Sequence, residues 1–315
     1  MLNNLTEEIS IKIIESPTLL ENVAFHFNKF KYFELHKNIN SKYLTINHNN
    51  TTIAIICFNL DLNSNALKSP IRGSFGGLQL FTNNLSLIDQ IFKSLISFLV
   101  NEKIKLVEII ENPLLYNEEI SKLKLFFYHK HGFRLSNTDI NAIIKVDKVD
   151  LVDKMEYNNV KRYKKCVREG LALSNQESSS LIEAYKIIKA NRDSKGFKMS
   201  MNLDQLLIMN KAMPESIVSF VVKNNNLSIA SAICIKISKD VLYVFYWGDL
   251  PGNEKLSPIA FLASNIYSYC QIQNIKLLDL GTSSIDGNII PSLLNFKKSI
   301  GASFDNKNTW TKQIL

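Results

Sequence analysis

The chain contains an internal repeat, and this repeat restricts the possible folds more than any other feature of the sequence. The segment KIKLVEI (103–109) is matched by NIKLLDL (274–280). Each is followed by an aromatic-containing segment that closes around a glycine, FFYHKHGF (126–133) and LNFKKSIGA (294–302). Because the pieces recur in the same order, the sequence predicts two similar α/β halves.

The parts upstream of these segments recur as well. IAIICF (53–58) is matched by ASAICI (230–235), and the β-branched runs at 52–58 and 227–237 predict strands. A helix-like apolar pattern precedes NIKLLDL at 257–273. Before KIKLVEI, apolar residues recur at the i, i+3, i+4 spacing of a helix: Ile88, Ile91, Phe92, Leu95, Ile96 and Leu99.

Length and composition fit a two-domain globular protein. The chain has 315 residues, more than an ordinary single domain, and 46% of them are hydrophobic. Charge rises between the halves, so the predicted domains are 1–150 and 151–315. The net charge of +8 favours anionic partners such as nucleotide phosphates, RNA or an acidic membrane face.

The cysteines and the N-terminus predict a cytoplasmic protein. Cys57, Cys166, Cys234 and Cys270 are far apart and form no CxxC motif, which favours a reducing compartment. The N-terminal segment carries acids early and does not have the pattern of a signal peptide. No apolar stretch approaches the roughly 20 residues that span a bilayer, so we do not expect an integral membrane protein.

Several segments resemble the GNAT acyltransferases and, among them, the FemABX-like peptidoglycan-bridge enzymes, which carry two GNAT-like units. LFFYHKHGFRL (125–135) resembles the YxKxGF end of a GNAT unit, and SPIRGSFGGLQL (69–80) is similar to the first unit of double-GNAT proteins of bacterial polysaccharide clusters. The second half resembles the FemABX-like enzymes in VKRYKKCVREGL (160–171), YVFYWG (243–248), LSPIAFLASNIY (256–267), LLDLGTSS (277–284) and NFKKSIGA (295–302).

The resemblance implies an α/β (α+β) fold with two tandem GNAT-like domains, each a mixed, mostly antiparallel twisted sheet flanked by helices. It also implies an N-acyl- or aminoacyltransferase that forms an amide on a primary amine of a nucleotide- or lipid-linked cell-envelope precursor. The acceptor would be an amino sugar of a surface polysaccharide or a muropeptide. No cofactor would be bound, and acyl-CoA or aminoacyl-tRNA, through its acceptor end, would be the co-substrate.

Two loops depart from the GNAT pattern. Acyl-CoA-binding units cradle the pyrophosphate with a glycine-rich loop at a helix N-terminus. Here Gly252 lies too far upstream and Pro258 opens the helix, while the spacing of RGSFGG in the first half does not fit either. Both donors therefore stay open. A catalytically silent double-GNAT protein that binds RNA or a glycan precursor is the alternative function.

Lys297 is the main catalytic candidate. The resemblance places it near the acyl carbonyl, and a preorganised cation stabilises the negative charge that develops there. On a helix Lys297 and Lys298 point about 100° apart, so they cannot share one role. Alternatively, both extend into solvent from a surface helix. Asp279, at the end of a buried strand, is either a general base or a cap of the GTSS turn, whose Ser283 and Ser284 suit the turn or a ligand.

The substrate-binding candidates are mainly basic and aromatic. In the basic segment 161–168, Arg162 is a candidate phosphate ligand, although such a helix can equally be a solvated surface. Arg192 precedes a glycine-containing loop, and Arg72 and Phe75 flank glycines that allow close backbone approach or a plain turn. Ser257, in the LSPIAF segment, is a further candidate.

Strand alternation places Tyr243 and Trp247 on one face and Tyr246 on the other, with Tyr246 and Trp247 as substrate contacts and core packing as the alternative. His129 and His131 have metal-ligand spacing but no third partner, so no metal site is predicted.

Overall fold

The structure, a computed structural model, describes residues 9–13, 24–174 and 180–314. The chain forms two compact units: unit 1 is Met1–Asp139 with Asn306–Leu315, and unit 2 is Ile140–Asp305. The predicted halves, 1–150 and 151–315, differ from these units in where residues 140–150 and 306–315 fall. The two boundaries between the units, at 139/140 and 305/306, each lie within a strand. No change of composition therefore marks them in the sequence.

Strands and helices are numbered in chain order. Two strands contribute to both units: β7 (Arg134–Lys145) and β15 (Ser303–Gln313). The other described elements of unit 1 are β1 (Ile9–Ile13), α1 (Phe30–His36), β2 (Ser41–His48), β3 (Thr51–Asp61), β4 (Ala66–Ser69), β5 (Gln79–Leu80), α2 (Leu85–Asn101), β6 (Leu106–Ile110) and α3 (Glu118–Lys130), with 3-10 turns at His26–Asn28 and Leu114–Asn117.

The sheet of unit 1 has the order β1-β2-β3-β4-β6-β15, and β5 pairs with β3. Only one of these described pairings, β4 with β6, is parallel. Helices α2 and α3 pack on one face of this sheet and α1 packs on the other, and the side chain of Asn84, the residue before α2, accepts a hydrogen bond from the Leu87 N–H. The predicted apolar stripe of α2 is confirmed: five of its six residues are buried and Ile96 is half-buried.

The described elements of unit 2 are α4 (Leu151–Lys154), α5 (Tyr157–Arg168), β8 (Leu171–Leu173), α6 (Ser180–Ser194), α7 (Leu203–Ala212), β9 (Ile217–Asn224), β10 (Leu227–Ser238), β11 (Val241–Asp249), α8 (Ile259–Ile272), β12 (Leu277–Thr282), β13 (Ser284–Ile285), β14 (Asn288–Ile289) and α9 (Pro291–Ser299). Its sheet has the order β7-β12-β11-β10-β9-β8, and again one described pairing, β11 with β12, is parallel.

The two units therefore repeat one arrangement. In each, two strands joined by a helical crossover lie parallel in an otherwise antiparallel sheet, with α2 between β4 and β6 and α8 between β11 and β12. KIKLVEI leads into β6, and NIKLLDL leads into β12. The predicted fold class, a mixed and mostly antiparallel sheet flanked by helices in two similar halves, is confirmed. Within the part of the chain that the structure describes, no helix is long and apolar enough to cross a bilayer.

Unit 1 buries an ionic network beneath the glycine-rich loop. Glu111 and Lys124, 3% and 5% exposed, form an ion pair, and Lys124 Nζ also donates to the Leu78 carbonyl at 3.1 Å. The Tyr128 hydroxyl donates to Glu111 Oε1 at 2.5 Å. Gly77 has φ +79, and a Cβ on it would lie 2.7 Å from Glu111 Cδ. Close approach to Glu111 therefore explains this glycine.

Removing the cation of this network should destabilise unit 1 strongly. Lys124→Met leaves the Glu111 carboxylate buried without its counter-ion, and we expect a loss of about 3–5 kcal/mol in the free energy of unfolding. Urea unfolding followed by Trp310 fluorescence in a Trp247→Phe background measures this change in unit 1.

The matched control is Lys122→Met on the same helix, since Lys122 forms only an exposed pair with Glu118, worth about 0.5 kcal/mol or less. The double variant Glu111→Gln, Lys124→Met should recover part of the loss. Equal effects of the Lys124 and Lys122 substitutions would show that the buried pair is not a stability determinant.

Candidate active site

Unit 2 contains a cavity of about 390 Å³ between β11, β12, α6 and α9. Its walls are mostly aromatic and aliphatic, as is usual for a pocket that binds a small molecule or group. The aromatic lining residues are Phe197, Tyr243, Phe245, Tyr246 and Trp247, and the large aliphatic ones are Val244, Leu280, Ile285, Ile290 and Leu293. The cationic lining residues are Arg192, Lys195 and Lys297, and no aspartate or glutamate is among the described residues that line it.

Lys297 lies at one end of this cavity and is almost fully buried. Its side chain projects from α9 and is 3% exposed, whereas Lys298 is exposed. Lys297 Nζ donates to the carbonyl oxygens of Gly281 and Thr282 at 2.8 and 2.7 Å. Burial lowers the pKa of Lys297 from 10.5 to about 8, although Asp279 acts in the opposite direction. The two adjacent lysines thus have different environments, as their helical spacing predicts.

The end of β12 positions the two carbonyls that bind Lys297. Asp279 is fully buried, and its Oδ1 accepts from the Gly281 N–H at 2.6 Å and from Asn141 Nδ2 at 2.8 Å. Gly281 has φ +77, and a Cβ there would lie 3.3 Å from the Tyr243 ring. Of the two roles that the sequence leaves open for Asp279, this geometry favours the turn cap. Its carboxylate does not line the cavity.

Ser283 and Ser284 fasten the residues after β12 to β7. The Ser283 N–H donates to the Ile140 carbonyl at 2.7 Å, and Ser284 Oγ accepts from the Ile140 N–H at 2.9 Å. Both serines are buried, and Ser283 Oγ has no hydrogen-bond partner in the described structure. Neither serine lines the cavity, so both support the turn below Lys297.

Arg192 and Tyr246 also line the cavity. The Arg192 guanidinium lies 5.0 Å from the centroid of the Tyr246 ring, a cation–π contact, and its Nε is buried with no hydrogen-bond partner in the part of the chain described here. The Tyr246 hydroxyl accepts from the Met201 N–H at 3.0 Å and also bonds the Ser200 hydroxyl. Tyr246 therefore joins Arg192 to the loop after α6.

The predicted alternation along β11 is wrong. Ile233 pairs with Tyr246 and Cys234 with Val244, so Phe245 is an extra residue in a β-bulge. Tyr243 and Tyr246 consequently lie on the same face of the sheet, and Trp247 lies on the other. There its ring is 6.0 Å from the ring of Phe296.

The remaining predicted residues do not line the cavity. Arg162 is exposed on α5 and donates to Asn159 Oδ1 at 3.0 Å. Ser257 has φ +54 before α8, and its N–H donates to the Asn253 carbonyl at 3.1 Å. In unit 1, Arg72 is half-buried, and Phe75 is buried in an aromatic cluster, 5.0 Å from the Phe27 ring.

His129 and His131, which have metal-ligand spacing in the sequence, contact different residues. His131 Nε2 lies 2.9 Å from Asp89 Oδ1, and the His129 ring packs against Trp310. Across the described ranges, no group of three or more His, Cys, Asp or Glu residues could hold a metal ion.

Sequence reasoning did not identify several residues of the cavity, among them Lys195, Phe197 and Ile285, nor did it find Asn141. The contact of Asn141 with Asp279 joins residues 138 positions apart, and it depends on the pairing of β7 with β12. No local sequence signal marks such a residue. Lys195 is different, because a second cation one turn after Arg192 is a local pattern that could have indicated a shared anion-binding site.

Comparisons with solved structures show the same fold. The chain matches FemX with a TM-score of 0.69 at 12% identity over 96% of this chain and 97% of that one. It matches L-PGS from Bacillus licheniformis with a TM-score of 0.57 at 12% identity, covering 82% and 80%. A tandem GNAT protein from the clavulanic acid biosynthesis pathway gives a TM-score of 0.50 at 7% identity, covering 98% and 99%.

No protein-family model matches the sequence, and no curated protein matches it. The structural matches define a tandem GNAT fold of the FemX type. The resemblance read from the sequence is thereby confirmed at the level of the fold.

The buried ammonium of Lys297 should make stability depend on pH. Between pH 8 and 10.5 the unfolded chain holds a proton that the folded chain has released, so the free energy of unfolding should rise with pH there. The slope from this residue is at most about 1.4 kcal/mol per pH unit. Urea unfolding of the wild type and of Lys297→Met at several pH values between about 7 and 10 isolates it by difference.

The stability of the wild type minus that of Lys297→Met should increase as the pH rises above about 8. Lys298→Met, which alters an exposed lysine, should run parallel to the wild type. A constant difference between the wild type and Lys297→Met would contradict a lowered pKa at Lys297.

Proposed function

We propose that the chain is an N-acyl- or aminoacyltransferase that forms an amide on a primary amine of a nucleotide- or lipid-linked cell-envelope precursor. The acceptor is an amino sugar of a surface polysaccharide or a muropeptide. The donor, acyl-CoA or aminoacyl-tRNA, is a co-substrate. The observation that carries this proposal is the buried ammonium of Lys297, held by two carbonyls at the cavity of a GNAT-type unit.

Lys297 would stabilise the negative charge that develops during acyl transfer. When the acceptor amine attacks the carbonyl carbon of the donor, the carbonyl oxygen becomes an oxyanion. The Gly281 and Thr282 carbonyls take two N–H bonds of the ammonium, which leaves one for that oxygen. Because Nζ is already fixed, little reorganisation is needed as the charge forms.

The charges around the cavity would also keep the acceptor amine neutral. Arg192, Lys195 and Lys297 disfavour a second ammonium near them and so lower the pKa of an amine that enters. After attack, the carbon–nitrogen bond forms and the thioester or ester bond breaks, and the amine proton passes to the departing sulfur or oxygen. Asp279 is shielded from the cavity, and its role is to support the charge and position of Lys297.

Arg192 and Lys195 are placed to bind an anionic part of a substrate. Among the described residues the Arg192 Nε has no hydrogen-bond partner, and a guanidinium suits phosphate and carboxylate oxygens. This fits the phosphates of a nucleotide- or lipid-linked precursor. Such precursors and both donors are made in the cytoplasm, where the four free cysteines of the chain would remain reduced.

The loop before α8 leaves the carrier of the acyl group open. Its Gly252 N–H donates to Glu254 Oε1 at 2.9 Å, and the Ser257 N–H donates to the Asn253 carbonyl. These N–H groups are therefore occupied within the loop, and Glu254 adds a negative charge. With these two N–H groups taken and a carboxylate beside them, this loop is less suited to a CoA pyrophosphate than the glycine-rich loop of a GNAT unit.

Substituting Lys297 tests the proposal. Lys297→Met should lower kcat by a factor of roughly 100 or more, as expected for the loss of a group that stabilises an oxyanion. The assay follows radiolabelled acyl transfer from acetyl-CoA and from alanyl-tRNA to a UDP-amino sugar and to a UDP-linked muropeptide. Lys298→Met is the matched control and should stay within about twofold of the wild type.

Retained turnover in Lys297→Met would contradict the catalytic role of this residue. A wild type that binds an acceptor but transfers nothing from either donor would instead favour the silent binding protein.

A further inference from the structure

Three large apolar side chains extend into solvent around the opening of the cavity. Phe197, Ile285 and Ile289, which we call the apolar rim, are 61%, 63% and 51% exposed. Phe197 and Ile285 also line the cavity, so both lie at its mouth, and Ile289 directly precedes the lining residue Ile290. Single exposed apolar residues are ordinary, whereas several around one opening indicate a surface that contacts another molecule.

Main-chain hydrogen bonds hold Phe197 in its exposed position. The end of α6 forms a Schellman motif, in which the Phe197 N–H donates to the Arg192 carbonyl at 2.9 Å and the Gly196 N–H donates to the Asp193 carbonyl at 3.1 Å. Gly196 has φ +73, the left-handed conformation that this motif requires. The motif therefore fixes the point from which the Phe197 ring extends into solvent.

The two isoleucines of the rim belong to the hairpin of β13 and β14. These strands pair only with each other in the part of the chain that the structure describes. Asp286 and Gly287 both have positive φ, as the central residues of a type I′ hairpin turn do. The base of the hairpin is fixed, because the Ile290 N–H donates to the Ser283 carbonyl at 2.9 Å. The hairpin is thus a defined projection, and residues 285–289 at its tip are all exposed.

The hairpin carries an isoleucine on each of its faces. Ser284 pairs with Ile289, and Ile285 pairs with Asn288. Because directly opposite residues share a face of a β-ribbon, Ile285 and Ile289 lie on opposite faces. A folded protein that packed on one face would leave the other isoleucine in water. A medium that surrounds the tip covers both.

Lysines border the apolar rim. Lys195 and Lys198 are exposed and lie within two residues of the aromatic side chain of the rim. Asp193 on α6 is paired with Lys189 at 2.5 Å, and Asp286 in the hairpin turn is an acid that opposes the two lysines. Lysine is depleted in protein–protein interfaces, whereas each lysine near an anionic lipid surface strengthens binding. The charge of the rim, like the net charge of +8, therefore favours anionic headgroups.

We propose that the mouth of this cavity docks on the surface of an anionic phospholipid bilayer. Phe197 and the hairpin tip enter the boundary between headgroups and acyl chains, while Lys195 and Lys198 bind lipid phosphates. The cavity of unit 2 then opens toward the bilayer. Docking goes beyond the transferase proposal, and it is measured without any substrate.

Vesicle sedimentation tests the docking. The wild type should bind vesicles of phosphatidylglycerol and phosphatidylcholine far better than vesicles of phosphatidylcholine alone, and added salt should weaken the binding. Ile289→Ser should lower the partition coefficient about tenfold, because an apolar contact with lipid is lost at a residue outside the cavity lining. The matched control is Ile272→Ser at the end of α8, 75% exposed and also outside the lining, which should bind like the wild type.

A lysine variant tests the electrostatic part. Lys198→Gln should lower binding to the anionic vesicles about fivefold, the effect of one cation near such a surface, and leave binding to neutral vesicles unchanged. Lys239→Gln removes an exposed lysine in the turn between β10 and β11 and should retain the binding of the wild type.

A fluorescent label reports which part of the protein meets the lipid. The four cysteines of the chain are buried, so a cysteine introduced at an exposed position is labelled selectively with the fluorophore NBD. NBD on Ile289→Cys should emit at shorter wavelength and several-fold more intensely when anionic vesicles are added. NBD on Ile272→Cys should stay unchanged.

A wild type that does not bind anionic vesicles would overturn the docking proposal and leave the transferase proposal standing. Equal losses in Ile289→Ser and Ile272→Ser would also overturn it, since binding would then not involve the rim. So would a dimer in sedimentation velocity that Ile289→Ser dissociates, because a second copy would then cover this surface. Vesicle binding through the rim without transfer from either donor would support docking and contradict the transferase proposal alone.

Discussion

A buried ammonium needs several hydrogen-bond acceptors. The site of unit 2 is organised so that one such ammonium, that of Lys297, has them. Lys297 is removed from water and held by two backbone carbonyls, so its position is set by the turn that carries them. That turn is fixed from below by Asp279, which accepts the Gly281 N–H, and Asp279 is in turn held by Asn141 on β7. The placement of one cation thus depends on the register of two strands and on a glycine with a left-handed backbone.

The corresponding position of unit 1 shows how the same helix end is used where no large cavity lies beside it. Tyr128 and Lys297 each lie four residues before the glycine that closes their helix, Gly132 and Gly301. Tyr128 donates to Glu111, a side chain within the unit, and the spaces that residues of that network line measure about 10 and 30 Å³, against about 390 Å³ beside Lys297. In unit 1 the position stabilises a core, whereas in unit 2 it borders a space large enough for a substrate group.

Most of the fold could be predicted from periodicity and from the order of the repeated segments, because both are visible along the sequence itself. The α2 stripe, the strands around 53–58 and 230–235, and the separation of Lys297 from Lys298 all follow from spacing along the chain. The bulge at Phe245 could not be predicted, since one extra residue reverses the faces of every later side chain. Phe75 shows the same limit: its glycine-rich setting fits a ligand loop, but its ring packs in an aromatic cluster.

The net charge of the chain and the charges around the cavity indicate different aspects of function. The value of +8 for the whole chain comes from basic residues spread along it, and by itself favours anions of any kind. The cavity concentrates three cations around one apolar space, with the carboxylate of Asp279 turned to the backbone beneath it. Lys297 is removed from water and acts almost unscreened on a group that enters, whereas the exposed Lys195 is screened like other surface charges. The specificity of the site therefore follows from where a few charges are placed.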